Sequence, residues 1–274
     1  MQERLESFGG RGDALVFAHA NGYPPGSYRS LLAPLAEHFT VHGYRHRPLW
    51  SREPAPVRAN WRLFADDLIH TLETCFTEPV WMMGHSLGGV VAMLAARKRP
   101  QLFRGLVLLD PVFMPTRLAL GLNLTPPGRL RKIPMVRRAL GRPGRFPSVE
   151  QAYAFHREKR AYSGLSDEVL WDYMRAGVRK APEGDWELAY SPAWEAAVYS
   201  SLPLVWPRLL CLRLPTLGLR GEDSDILSAA GLQRWACLQP QAELHSVPGG
   251  HLFPLEHPEP TAQRVLDFLA RHPG

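Results

Sequence analysis

The chain has 274 residues, 45% of them hydrophobic and 21% charged, with a formal net charge of +6. This is globular rather than fibrous or disordered composition, and the length allows one large core or two smaller ones. Three widely spaced cysteines, Cys75, Cys211 and Cys237, argue against a disulfide framework or a zinc site and suit a reducing compartment. The basic balance admits nucleic acid, an anionic membrane or an acidic ligand, but most of it is expected on a solvated surface. Nucleic acid is not an expected partner, because zinc-finger spacing and basic runs interleaved with aromatics are both missing from the sequence.

The opening "MQERLESFGGRGDALVF" places acids early and has no apolar stretch after its first basic residue, so no secretory leader is expected. No run of 18 or so apolar residues occurs, so no membrane span is expected and a soluble cytoplasmic protein is. "ALVFAHA" (14–20) reads as a strand, and "SYRSLLAPLAEHF" (27–39) as a helix that tolerates Pro34 near its start. "TVHGY" is a further strand, and "WRLFADDLIHTLETC" (61–75) an amphipathic helix. "PVWMMGHS" (79–86) is a strand, "LGGVVAMLAARKR" a helix ending in basic residues that suit its dipole, and "RGLVLLDPV" (104–112) a strand. Residues 116–207 break this rhythm, with many prolines, four of the eight tryptophans and no clear buried strand. "VEQAYAFHREKRAY" and "SDEVLWDYMRAGV" within them have helical spacing. The rhythm then resumes with "RLPTLGLRG" as strand, "SAAGLQRWACLQ" as helix, "AELHSVPGG" as strand and "PEPTAQRVLDFLARH" as helix. Apolar strands alternating with helices predict an α/β core with a mostly parallel sheet flanked by helices. The expected core is 1–115 with 208–274, and the expected helical cap insertion is 116–207.

Residues 116–145 carry eight Lys/Arg and no Asp/Glu, with Leu118, Leu120, Leu122 and Leu124 ahead of "RLRKIPMVRRAL". Two explanations fit: peripheral contact with an anionic membrane surface or ligand, or a solvated basic lid. The lid is the simpler and is preferred at this stage.

"GHSLGG" (84–89) lies between a predicted strand and a predicted helix. This is G-x-S-x-G in the context that makes it a nucleophile elbow: Ser86 sits on a tight turn, and small neighbours let the backbone pass closely. The following helix aims unpaired N–H groups at developing negative charge. With this motif, the chain resembles the α/β-hydrolase superfamily, in the branch with a helical cap after the sixth strand.

The resemblance implies a nucleophile, an acid and a histidine in that chain order. Ser86 would be the nucleophile and His251, in "PGGHLFPLEHPE", the base. His257 lies too far into the last helix, and His85 would point away from the hydroxyl. The implied oxyanion hole uses the backbone N–H of Leu87 and that of Asn21 in "HANG", where the family usually has His-Gly-x. Ala20 replaces that glycine, and His19 would brace the loop.

The acid is the least determined member. The family often places it three residues beyond a glycine after the seventh strand, and here that residue is Ser224. Asp223 and Asp225 flank it and share a direction, with Ser224 opposite. Asp225 is chosen, because it adjoins Ile226-Leu227 and related hydrolases have a Ser-Asp pair there. Asp223 suits a turn that caps local N–H groups. Asp110, at the end of "GLVLLD", is the alternative, since some members carry the acid at that strand end.

A serine rather than an aspartate nucleophile argues against haloalkane dehalogenases and cap-bearing epoxide hydrolases. The expected activity is hydrolysis of a small-molecule carboxylic ester with an apolar acyl or aryl group, through an acyl-enzyme and without cofactor or metal. Carbon–carbon or amide hydrolysis and acyl transfer would use the same residues. A slow-turnover ligand receptor on this fold is the alternative of another class. Oligomeric state cannot be read from the sequence.

Overall fold

The computed structural model describes residues 2–272. The chain runs β1 (Leu5–Gly9), β2 (Ala14–Ala18), α1 (Arg29–Ala36), β3 (Thr40–Tyr44), α2 (Trp61–Cys75), β4 (Val80–His85), α3 (Leu87–Lys98) and β5 (Phe103–Leu109). After residue 207 it continues through β9 (Thr216–Gly221), α11 (Ala229–Leu238), β10 (Glu243–Val247), α12 (Phe253–Glu256) and α13 (Pro258–Ala270). These strands form one seven-stranded sheet in the order β1-β3-β2-β4-β5-β9-β10. Only β1 is antiparallel to its neighbour. The architecture is the expected α/β-hydrolase fold.

Strand periodicity divides the core. Along β2, Val16 and Ala18 face a layer built with α2, α3 and Trp235, while Leu15 and Phe17 face a layer built with α1 and α13. Every residue of β4 is buried, as a strand covered on both faces requires. The edge strand β1 escaped the sequence pattern because its side chains are half-buried or exposed and carry no apolar alternation.

Between β5 and β9 lie α4 (Thr116–Leu124), α5 (Pro127–Leu130), α6 (Pro134–Leu140), β6 (Arg145–Phe146), α7 (Val149–Arg157), α8 (Asp167–Gly177), β7 (Val178–Lys180), β8 (Trp186–Leu188), α9 (Pro192–Tyr199) and α10 (Trp206–Leu209). The segment is mostly helical, and it also holds three short strands that the sequence pattern did not show. β6, β8 and β7 pair as a small antiparallel sheet, through strands too short to show a period of two. The insertion follows β5, the fifth strand of the described chain. Its tryptophans are engaged in packing: Trp206 against Phe113, Trp194 against Phe64, and Trp171 stacked on Tyr153.

The first turn of α3 passes against β2 so closely that only glycine fits. A Cβ on Gly88 would lie 2.0 Å from the Ala18 carbonyl oxygen, and one on Gly84 would lie 2.5 Å from the Gly88 carbonyl. Gly121, inside α4, has nothing within 4 Å of such a Cβ. Gly88→Ala is therefore expected to cost more than about 3 kcal/mol, the upper end of ordinary overpacking. Gly121→Ala should stabilise by up to about 1 kcal/mol through helix propensity. Urea denaturation of both variants checks the pair, and equal effects would contradict the close approach.

Candidate active site

Loops at the carboxyl ends of β2, β4, β5, β9 and β10 converge, as ligand sites of open α/β sheets do. Ser86 follows β4 in a conformation that an L-residue rarely adopts, with φ +55°. Asp110 follows β5 with φ +40°. Among the described residues these are the only non-glycine positions with positive φ. Each such conformation costs on the order of 1–3 kcal/mol and persists only where the surroundings fix it.

The two strained residues meet at one imidazole. Asp110 Oδ2 lies 2.6 Å from His251 Nδ1. A carboxylate only accepts, so Nδ1 carries the ring proton and Nε2 is the acceptor. The Ser86 hydroxyl lies 2.9 Å from that Nε2 and donates to it. Ser86 is 6% exposed and Asp110 fully buried.

The geometry corrects the choice of acid: His251 is partnered by Asp110, not by Asp225. Both Asp223 and Asp225 are exposed, whereas Ser224 is buried. Side chains do alternate along this loop, but Ser224 is the one that faces inward. Its hydroxyl donates to Asp110 Oδ2 and accepts from the N–H groups of Ile226 (3.1 Å) and Leu227 (3.3 Å). The Gly221 N–H donates to Asp110 Oδ1 at 3.0 Å. Three donors thus satisfy the buried carboxylate, and they fix its angle to the imidazole. Arg220 staples the same loop through the carbonyls of Leu227 (2.6 Å) and Glu222 (3.0 Å).

Opposite the serine, a turn closes with the Tyr23 N–H on the Ala20 carbonyl at 3.2 Å, and Gly22 supplies its positive φ of +82°. Ala20 therefore needs no glycine-like angle. Among the described residues, the main-chain N–H groups of Asn21 and Leu87 donate to no other protein group.

Histidines brace this turn. His19 Nδ1 donates to the Ala20 carbonyl at 2.7 Å, and His19 Nε2 accepts from the His46 N–H at 3.2 Å. His85 Nδ1 accepts from the Tyr28 hydroxyl at 2.7 Å, and its Nε2 donates to the His251 carbonyl at 2.9 Å. Burial, reinforced by His46, holds His19 well below the usual imidazole range, and burial holds His46 down to about 3. Burial and then the neighbouring His251 do the same for His85. All three are neutral at physiological pH and serve as scaffold. His85 positions the His251 backbone, a link that the pattern of the elbow does not announce.

Further contacts that the sequence does not announce also enter. Glu256 Oε2 accepts from the Gly250 N–H at 3.0 Å, holding the turn before His251. Asn21 Nδ2 donates to the Glu195 carbonyl of α9 at 3.2 Å. Glu195 in turn forms an ion pair with Arg142 at 2.6 Å, with both side chains nearly buried. Among the described residues, no group of three or more His, Cys, Asp or Glu side chains is placed to hold a metal ion.

The buried histidines have folded pKa values below their unfolded values, so the unfolded chain takes up protons first as pH falls. Their contribution to stability is complete above about pH 6.5 and is lost below it, at about 1.4 kcal/mol per pH unit for each histidine. Urea midpoints should fall steadily from pH 7 to pH 5. A flat or rising profile over that interval would contradict neutral burial.

The family model described as "Alpha/beta hydrolase family" matches residues 15–264. The chain is 25% identical to 2-(acetamidomethylene)succinate hydrolase of Mesorhizobium japonicum, over 95% of this chain and 89% of that protein. It is 30% identical to monoglyceride lipase of Rattus norvegicus over 37% of this chain and 36% of that one. The solved structure of E-2-(acetamidomethylene)succinate hydrolase superimposes with a TM-score of 0.80 at 22% identity, covering 97% of this chain and 94% of the other. The family match covers the sheet apart from β1 and the first residue of β2, together with every loop that carries the site, and the chain belongs to the alpha/beta hydrolase family.

Proposed function

We propose that this hydrolase-family protein cleaves carboxylic esters through an acyl-enzyme, with Ser86 as nucleophile, His251 as general base and acid, and Asp110 as the orienting carboxylate. The observation that carries this is the hydrogen-bonded relay Ser86–His251–Asp110, held on the two strained residues. His251 Nε2 takes the serine proton as Oγ attacks the ester carbonyl, and Asp110 stabilises the imidazolium that forms. The Asn21 and Leu87 N–H groups receive the oxyanion. Collapse of the tetrahedral intermediate expels an alkoxide, which takes the proton back from His251. Water then repeats the sequence on the acyl-enzyme and releases Ser86. The likeness to a lipase over 37% of the chain is consistent with an ester substrate.

Mass spectrometry after fluorophosphonate treatment, with steady-state hydrolysis of a panel of aryl and alkyl esters, tests this. Ser86→Ala should lose both labelling and turnover. Asp110→Asn should lower kcat by about 10^3–10^4-fold, since the imidazole then presents the wrong tautomer. Asp225→Asn should change it by less than about twofold, as an exposed substitution does. Labelling of wild type without ester turnover would instead favour a slow-turnover receptor.

We also propose that residues 116–140 contact an anionic lipid surface. Arg117, Arg129, Arg131, Lys132, Arg137 and Arg138 are all exposed. Among the described residues, none of the six pairs with an acid. Large exposed apolar side chains occur in the same stretch of sequence: Leu118, Leu120, Leu124 (80% exposed), Met135 and Leu140. Such a mixture suits headgroups and the acyl boundary, at about 1 kcal/mol per basic residue close to the surface. The protein should cosediment with vesicles containing phosphatidylglycerol but not with phosphatidylcholine alone. Binding should fall in 1 M salt and in the double variant Arg131→Glu/Lys132→Glu. Equal binding to both vesicles, or to neither, would contradict it.

A further inference from the structure

Arg142 is the one cation of the basic segment that turns inward. It follows α6, and its side chain keeps only 14% of its exposure. Burying a guanidinium is costly, so its partners must compensate closely. Nη2 pairs with Glu195 Oε2 at 2.6 Å, and Nη1 donates to the Tyr173 hydroxyl at 3.3 Å. Burial works against its charge, but Tyr173 and Glu195 outweigh that and keep it protonated.

Both partners lead to the same turn. Glu195 accepts the Asn21 side-chain amide on its main-chain carbonyl. Its carboxyl carbon lies only 3.6 Å from where a Cβ of Gly22 would be. Tyr173, from α8, stacks on Tyr23 with ring centroids 5.0 Å apart and 29° between planes. A single guanidinium therefore grips residues 20–23 from both ends, through α9 on one side and α8 on the other. The Asn21 N–H lies between those two grips.

We propose that Arg142 is a positioning residue for the Asn21 N–H: it clamps the turn so that this donor is already aimed when negative charge develops on the substrate carbonyl. The proposal rests on the assignment of Asn21 to the oxyanion hole made above. Arg142 itself does not touch the reacting atoms. Its effect belongs to the transition state, because the oxyanion is present there and not in the bound ester.

The test is steady-state hydrolysis of one aryl ester by wild type, Ser86→Ala, Arg142→Ala and Arg142→Ala/Glu195→Gln. The double variant removes the stranded buried carboxylate yet keeps the main-chain carbonyl that holds Asn21, so it remains informative if the single variant folds poorly. Arg142→Ala should lower kcat at least tenfold, towards the 10^2–10^3-fold expected for complete loss of one oxyanion donor, and change KM by less than about twofold. The pH dependence of kcat/KM should keep its wild-type midpoint, because the His251–Asp110 pair is untouched. Added guanidinium ion at sub-denaturing concentration should restore part of kcat in Arg142→Ala and none in Ser86→Ala. A purely structural cap residue would raise KM and show no rescue, and that result would overturn the proposal. So would an unchanged kcat in both Arg142 variants. Wild type without Ser86-dependent turnover would instead remove the assignment of the oxyanion hole beneath it.

Discussion

One buried carboxylate organises the site. Asp110 has no exposure to solvent, and all its hydrogen-bond donors come from other parts of the fold: the imidazole after β10, the main chain at the end of β9, and a hydroxyl in the loop that follows. A carboxylate in that position is tolerable only when each donor is present. The carboxylate thereby sets the register between the ends of three neighbouring parallel strands. It also sets the azimuth of the imidazole, and so the direction in which Nε2 faces Ser86. The unfavourable φ angles at Ser86 and Asp110 are held by the same network.

The turn at residues 20–23 is built on another principle. Its partners are neutral buried histidines on one side and an ion pair on the other. His19, His46 and His85 act as fixed donors and acceptors because burial keeps them uncharged. The ion pair Arg142–Glu195 comes from the insertion, which packs on this turn through Asn21 and Tyr23. Substitutions within residues 116–207 can therefore affect chemistry without reaching the serine. Within residues 116–145 the cations divide by burial: Arg142 turns inward, and the other seven are exposed.

Much of this was legible in the residues. Strong periodicity marked β2 to β5, α2, α3 and the closing elements, and the strand–turn–helix context of "GHSLGG" located Ser86. A histidine after the last strand was legible as well, and the structure brings His251 to Ser86. The acid was not. Both aspartates of "EDSD" were local candidates, and alternation correctly put them on one face. Which face points inward depends on how β9 sits against β5, and that is a tertiary fact. Ser224, at the position where a carboxylate was sought, was the overlooked signal: a hydroxyl there donates to a carboxylate arriving from the neighbouring strand. The edge strand β1 and the three-stranded sheet of the insertion lacked any pattern, being short or half-exposed. Arg142 and Glu195 looked like ordinary charged residues, because pairing across 53 positions leaves no local trace.

The most direct measurement is the NMR signal of the His251 Nδ1 proton in protein labelled with 15N-histidine, compared among wild type, Asp110→Asn and Asp225→Asn. A short charge-assisted hydrogen bond to a buried carboxylate should place this proton far downfield and protect it from exchange. That signal should persist unchanged in Asp225→Asn and disappear or move sharply upfield in Asp110→Asn. A signal that survives Asp110→Asn and is lost in Asp225→Asn would contradict the account at its centre.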